Sequence, residues 1–225
     1  MTGLLLRGWN WCRRFRHRCG YGVHSPSDFF LITFVIYERL PYYAYSALRK
    51  ERKCVKDFPH YREKTDRLLF RLVNYLQPAF IWEFGTGSGL EASYMAAAKN
   101  VPLFTWDERG GDKVNSLLSG KPGISFFDSG WKDLDVEQLA GQNCLDLVHI
   151  AHTSSYKELF ERLLPYAGEH TCFIIGQPYE SKEKRMWWKQ VVSDSRTGVT
   201  FDLYDIGLVF FDKKRVKEHR VVNFL

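Results

Sequence analysis

Between residues 79 and 212, short apolar runs alternate with stretches of mixed polarity: AFIWEF, VPLFTW, ISFF, CLDLVHIA, TCFIIG, then VTFDLYD and IGLVFFD. Runs this short and this continuously apolar predict strands buried on both faces, with the intervening segments as helical crossovers. The last two runs are nearly contiguous and predict an antiparallel hairpin at the sheet edge. The pattern is that of an α/β sandwich, a mostly parallel sheet closed by a C-terminal antiparallel strand, whose ligands belong at the carboxyl ends of the strands.

The first third has helical texture. Ser25 is a candidate N-cap, with Pro26 at the first helical position and Asp28 reaching back as in a capping box; the helix then runs through Phe29, Phe30, Ile32, Val35 and Ile36. EKTDRLLFRLVNYLQP predicts an amphipathic helix closed by Pro78. The basic, tyrosine-rich stretch between them, PYYAYSALRKERKCVKDFPHY, reads as a solvated helix face, with nucleic-acid binding the sharper alternative. The expected organisation is one structural domain: a helical extension over 1–78 packed on an α/β core over 79–225.

With 45% hydrophobic and 16% aromatic residues, the chain has enough apolar surface for a globular core without disulfides. Its cysteines, at 12, 19, 54, 144 and 172, form no CxxC pair, which predicts reduced thiols in a cytoplasmic protein and no zinc site. No apolar run is long enough to span a bilayer, and the opening MTGLLLRGWNWCRRF lacks signal-peptide order: its charge follows the apolar Leu4–Leu6 run. The net charge of +6 is uneven, since Arg7, Arg13, Arg14, Arg16 and Arg18 all precede the first acid, Asp28. Interleaved with Trp9, Trp11 and Phe15, they could meet nucleic acid or an anionic surface. The plainer expectation is a helix with its aromatics against the domain and its arginines in water.

The first predicted strand runs into IWEFGTGSGLEASYM. Gly85, Gly87 and Gly89 do not make a dinucleotide G-x-G-x-x-G, because position 90 is Leu, and no P-loop Lys follows. Glu83 would repel a pyrophosphate resting on this turn but attract a ligand ammonium group. S-adenosylmethionine has an amino group, a carboxylate and a sulfonium close together, and glycines let backbone N–H groups approach that carboxylate. The expected cofactor residues are Glu83, Gly85, Thr86, Gly87 and Gly89 at the turn; Asp107, ending the second strand, for the ribose hydroxyls; and Asp128 and Ser129, ending the third, for the adenine.

These stretches, with YGVHSP, LDLVHIA and GLVFFDKKRVKEH, resemble class I S-adenosylmethionine-dependent methyltransferases, and more narrowly an uncharacterised Bacteroidetes group related to catechol-type O-methyltransferases. The resemblance implies methyl transfer from S-adenosyl-L-methionine, on a Rossmann-like methyltransferase sandwich. Such relatives end their fourth and fifth strands in acids that hold a divalent metal. Here those ends read Ile150-Ala151-His152 and Gly176-Gln177-Pro178, so no metal site is expected. His152 is the candidate general base; His149, three residues earlier on a strand, should point to the opposite face. The expected function is metal-independent methyl transfer to an unidentified acceptor, a small molecule favoured. The alternatives are a cofactor-binding protein without catalysis, or a nucleic-acid methyltransferase using the basic N-terminus. Oligomeric state is left open.

Overall fold

The computed structural model describes residues 4–55, 58–107, 112–136 and 145–225. Helices α1 (Leu4–Arg13), α2 (Pro26–Phe30), α3 (Tyr45–Arg52) and α4 (Glu63–Leu76) precede the first strand. Strands β1 (Ile81–Phe84), β2 (Leu103–Trp106), β3 (Ile124–Phe127), β4 (Leu145–Ile150) and β5 (Ala167–Gly176) then alternate with α5 (Leu90–Ala98), α6 (Asp112–Leu118) and α7 (Tyr156–Leu163). After α8 (Lys182–Ser193) come β6 (Thr200–Asp202), β7 (Ile206–Phe210) and β8 (His219–Val221). They form one sheet in the order β3-β2-β1-β4-β5-β7-β6-β8, parallel from β3 to β5.

Successive strand residues face opposite layers. Ile81, Leu103, Leu147 and Ile174 pack with α4 and the segment after α2, while Trp82, Phe84, Val148 and Phe173 pack with α7 and α8. Both layers are apolar, which is why the strand runs are unbroken rather than alternating. Glu83 and His149, one strand apart in register, lie on the α4 side with Leu147.

The C-terminal hairpin forms as expected, but not at the sheet edge. β7 runs antiparallel against β5, β6 against β7, and the short β8 adds parallel to β6 as the last strand. Nothing in so short and charged a segment as HRV marks it as a strand, and its pairing comes from the neighbour.

The helix begun at Ser25 also differs. The Asp28 N–H donates to Ser25 Oγ at 3.4 Å, but the Asp28 carboxylate does not complete a capping box. It accepts instead from Arg215 and from Arg220 Nε, the latter at 3.1 Å, tying the helix to the C-terminal segment. From Leu31 to Ile36 the helix widens into π turns. Arg71 of α4 caps the end of this segment, its guanidinium donating to the carbonyls of Val35 and Ile36 at 2.7 and 3.0 Å.

The largest departure is α1, which lies inverted against its expected orientation. Arg13, Arg16 and Arg18 stay in water as expected, but two arginines face the domain. Arg7 makes a two-point pair with Asp205 at 2.6 and 2.8 Å, and Arg14, just past the helix, another with Asp202 at 2.9 and 3.1 Å. Both guanidiniums lie over the ring of Tyr204, which stacks on Tyr179 with centroids 5.0 Å apart. The aromatics face water instead, with Trp9 64% exposed and Phe15 53%. Asp202 and Asp205, in the β6–β7 hairpin, decide the matter, because a buried carboxylate needs a cation more than an indole needs cover.

Cys12, Cys19, Cys54 and Cys172 are free thiols; Cys144 lies outside the described residues. Among the described residues no helix is long and apolar enough to cross a membrane.

Candidate functional site

At the carboxyl edge of the sheet, β1 runs into the glycine turn and Asp107 follows β2. Gly85, at φ +87°, lets the segment after β4 close over the turn: a Cβ there would lie 2.7 Å from the backbone of His152. Gly87, at φ +57°, passes under Pro59, whose carbonyl would be 2.6 Å from a Cβ. A side chain at either position would push a backbone segment off the turn.

The donors of the turn have partners. Gly87 N–H donates to Asp107 Oδ2 at 2.9 Å, Ser88 N–H to the Pro59 carbonyl at 2.9 Å, and Gly89 N–H to the Thr86 carbonyl at 2.9 Å. The turn and the acid after β2 are therefore brought together as the sequence spacing predicts. The turn is buried, and Pro59, from the segment before α4, lies across it.

Beneath the turn runs a chain of buried polar groups. Thr86 and Thr105 hydroxyls are 2.6 Å apart, and Thr105 donates to Glu83 Oε2 at 2.7 Å. Glu83 Oε1 is 3.0 Å from His149 Nδ1, and His149 Nε2 is 3.1 Å from the Tyr61 hydroxyl. Burial raises the Glu83 pKa above the ordinary carboxyl value, while the bonds from His149 and Thr105 pull against that rise. Burial, then the carboxylates of Glu91 and Glu83, push the Tyr61 phenol well up, so it stays a donor. Each proton then has one acceptor: Tyr61 donates to Nε2, and the Nδ1–H of His149 donates to Glu83.

A second acid, Glu91 in the first turn of α5, closes the cluster. It accepts from the Tyr61 N–H at 2.8 Å and lies 3.1 Å from His152 Nε2. Burial would raise its pKa, but the bonds from His152 and from backbone N–H groups outweigh burial and hold it below the ordinary value. His149 and His152 do not point to opposite faces; both rings lie near Tyr61, with centroids 5.7 and 4.8 Å away. β4 ends at Ile150, so the strand alternation no longer applies at residue 152.

The open part of the site is a cleft of about 110 Å³ lined by Gly85, Trp106, Asp107, Ser129, Trp131 and residues 153–155. Trp106 forms its apolar wall, stacked between Phe84 and Phe127 with centroids 5.0 and 5.1 Å away. Ser129 lines the cleft, while Asp128 is exposed outside its lining. Glu83 and Thr86 lie fully buried beneath it. Tyr61, Glu91, Trp106 and Trp131 are absent from the sequence-derived set. Only Glu91 carried a local signal, an acid two residues past the last turn glycine.

Gln177-Pro178-Tyr179, after β5, serves α1 and not the cleft: the Tyr179 hydroxyl bonds to Asp202 and accepts from Arg14 at 2.9 Å. Among the described residues, no group of three or more His, Cys, Asp or Glu side chains is placed to hold a metal ion.

No family model and no curated protein matches this chain. Solved structures do. An O-methyltransferase from Bacillus cereus, in complex with SAH, is 15% identical with a TM-score of 0.58, over 83% of this chain and 97% of its own. The O-methyltransferase TomG from Streptomyces achromogenes, in complex with SAM, is 16% identical with a TM-score of 0.56, over 79% and 93%. A methyltransferase from Geobacter sulfurreducens is 14% identical with a TM-score of 0.57, over 78% and 93%. At these identities the likeness is one of fold, and the chain has the class I methyltransferase fold.

Proposed function

We propose that this protein is an S-adenosylmethionine-dependent methyltransferase, working without a bound metal on a small-molecule acceptor that is not identified. The observation that carries the reading is the Asp107 carboxylate 2.9 Å from the Gly87 N–H, an acid and a glycine turn facing one cleft at the carboxyl edge. The fold it shares with proteins solved with SAM and SAH supports it.

The residues fit the two ends of the cofactor unequally. Asp107, Ser129 and the Trp106 ring suit a ribose and an aromatic base. The cleft of about 110 Å³ falls short of the roughly 300 Å³ or more of typical small-molecule sites. The methionine end would lie where Pro59, Tyr61 and His152 now close on the turn. Binding therefore needs the Pro59 segment to withdraw, freeing the Ser88 N–H for a carboxylate while Gly87 N–H stays on Asp107; Glu91 and Glu83 would favour the ammonium group.

When bound, the cofactor supplies a methyl group on a sulfonium, already activated toward a nucleophile. Alignment is then the main task left to the protein. His152 is the proposed proton acceptor for the nucleophile, its ring oriented by Glu91. Metal independence is proposed because Ala151, Gly176 and Gln177 stand where the catechol-type enzymes this chain resembles keep metal-binding acids.

One observation favours a second reading, a cofactor-binding protein without catalysis: Glu83, His149, Tyr61, Glu91 and His152 are bonded to one another rather than aimed into the cleft. Transfer of labelled methyl groups to a broad acceptor panel, with and without EDTA, separates the cases. Transfer that survives EDTA supports the first reading, cofactor binding with no transfer supports the second, and transfer abolished by EDTA and restored by magnesium removes metal independence.

A further inference from the structure

We infer that α1 and the turn after it dock the protein on a bilayer carrying anionic phospholipid, through the outward ridge of Leu5, Trp9 and Phe15 and the cations beside it. The inference is independent of the methyltransferase reading.

The helix is amphipathic but mounted with its apolar side out. Arg7 and Arg14, two turns apart, share the stripe clamped to Asp205 and Asp202, and Asn10 between them donates to the Tyr204 hydroxyl at 3.3 Å. Leu5 and Trp9, one turn apart, share the opposite stripe and are 93% and 64% exposed. The mounting is firm, since Asn223 also holds the carbonyls of His17 and Trp11 at 2.8 and 3.0 Å. A rigid helix presenting a leucine and a tryptophan to water is a feature of surfaces that meet something apolar.

Charge selects the occupant. Arg13, Arg16 and Arg18 are exposed beside the ridge, and Arg18 lies over the Trp11 and Phe15 rings at 5.5 Å. The only acid up to residue 30, Asp28, is buried against Arg215 and Arg220, so no carboxylate of this segment offsets them. In the adjoining cleft, Arg18, Arg39, Arg49 and Lys64 outnumber Glu38 and Glu63. A second copy would bring these arginines face to face with their own kind. An anionic bilayer instead offers phosphates to the arginines, an interface to the tryptophans and an apolar layer to Leu5.

The test is flotation of the full chain with phosphatidylcholine vesicles, with and without roughly 30% phosphatidylserine, followed by tryptophan emission. Wild type should partition onto the anionic vesicles with a blue shift and only weakly onto neutral ones. Arg13→Gln with Arg16→Gln should weaken partition about 25-fold, at about fivefold per cation. Leu5→Ser with Trp9→Ser should weaken it about tenfold or more, with an unchanged melting temperature because both side chains are exposed. Three results would overturn the inference: equal partition onto both vesicle types, no partition onto either, or a wild-type dimer that the Leu5→Ser, Trp9→Ser variant splits. Displacement from anionic vesicles by single-stranded RNA at equal phosphate concentration would overturn it as well.

Discussion

The glycine turn and α1 are opposite cases of one rule. At the turn, polar groups of the kind that meet a ligand are folded inward, and the chain's own Pro59, Asp107 and Tyr61 hold them. On α1, apolar groups of the kind that fill a core are turned outward, because Arg7 and Arg14 are needed by Asp205 and Asp202. In both places a partner outside the local segment settles which way a side chain faces. Buried charge outranks buried area, since leaving a carboxylate unpaired costs more than exposing an indole.

The largest expected effect tests that ranking. Arg14→Ala leaves the Asp202 carboxylate buried with its guanidinium gone, and removal of one partner from a buried pair costs about 3–5 kcal/mol. Urea unfolding should show that loss, and adding Asp202→Asn should recover much of it. A loss no greater than that of an exposed pair would mean that something other than the ion pairs orients α1.

Next is Asp107→Ala. If its carboxylate holds ribose hydroxyls, S-adenosylhomocysteine should bind more weakly by about 1.5–3 kcal/mol, the range for hydrogen bonds to a charged group. Equal affinity in calorimetry would limit Asp107 to its bond with Gly87 and make the turn a structural feature alone.

The smallest effect is a slope. Burial raises the Glu83 pKa above its ordinary 4.5, so the folded protein holds that proton longer than the unfolded chain. The stabilising contribution of protonated Glu83 is present at low pH and is lost as pH rises through the folded value. Glu83→Gln removes this dependence while keeping one acceptor oxygen for His149, its amide N–H then donating to the Thr105 hydroxyl. The stability of the variant relative to wild type should climb from pH 4.5 upward and level off above the folded value. Parallel pH profiles would mean that the two hydrogen bonds fully offset burial.

What could be read from sequence follows the same division. The strands of the parallel sheet and the placing of Asp107 against the glycine turn were legible because each depends on local runs and a spacing of about twenty residues. The Ser25 cap was legible for the same reason, whereas the Asp28 carboxylate goes to Arg215 and Arg220, far along the chain. The capping of the turns after α2 depends on Arg71, and the cover over the glycines on Pro59 and Tyr61. The inversion of α1 depends on a hairpin about 190 residues away. No periodicity in these segments records such partners.

The turn and Asp107 are proposed to form one cofactor site, opened when the Pro59 segment moves aside. Calorimetric titration of the protein with S-adenosylhomocysteine tests this directly. Saturable binding at one site is expected, with a melting temperature that rises with ligand concentration. No heat and no shift at about 1 mM ligand, in folded protein, would show that the turn and Asp107 do not form a cofactor site.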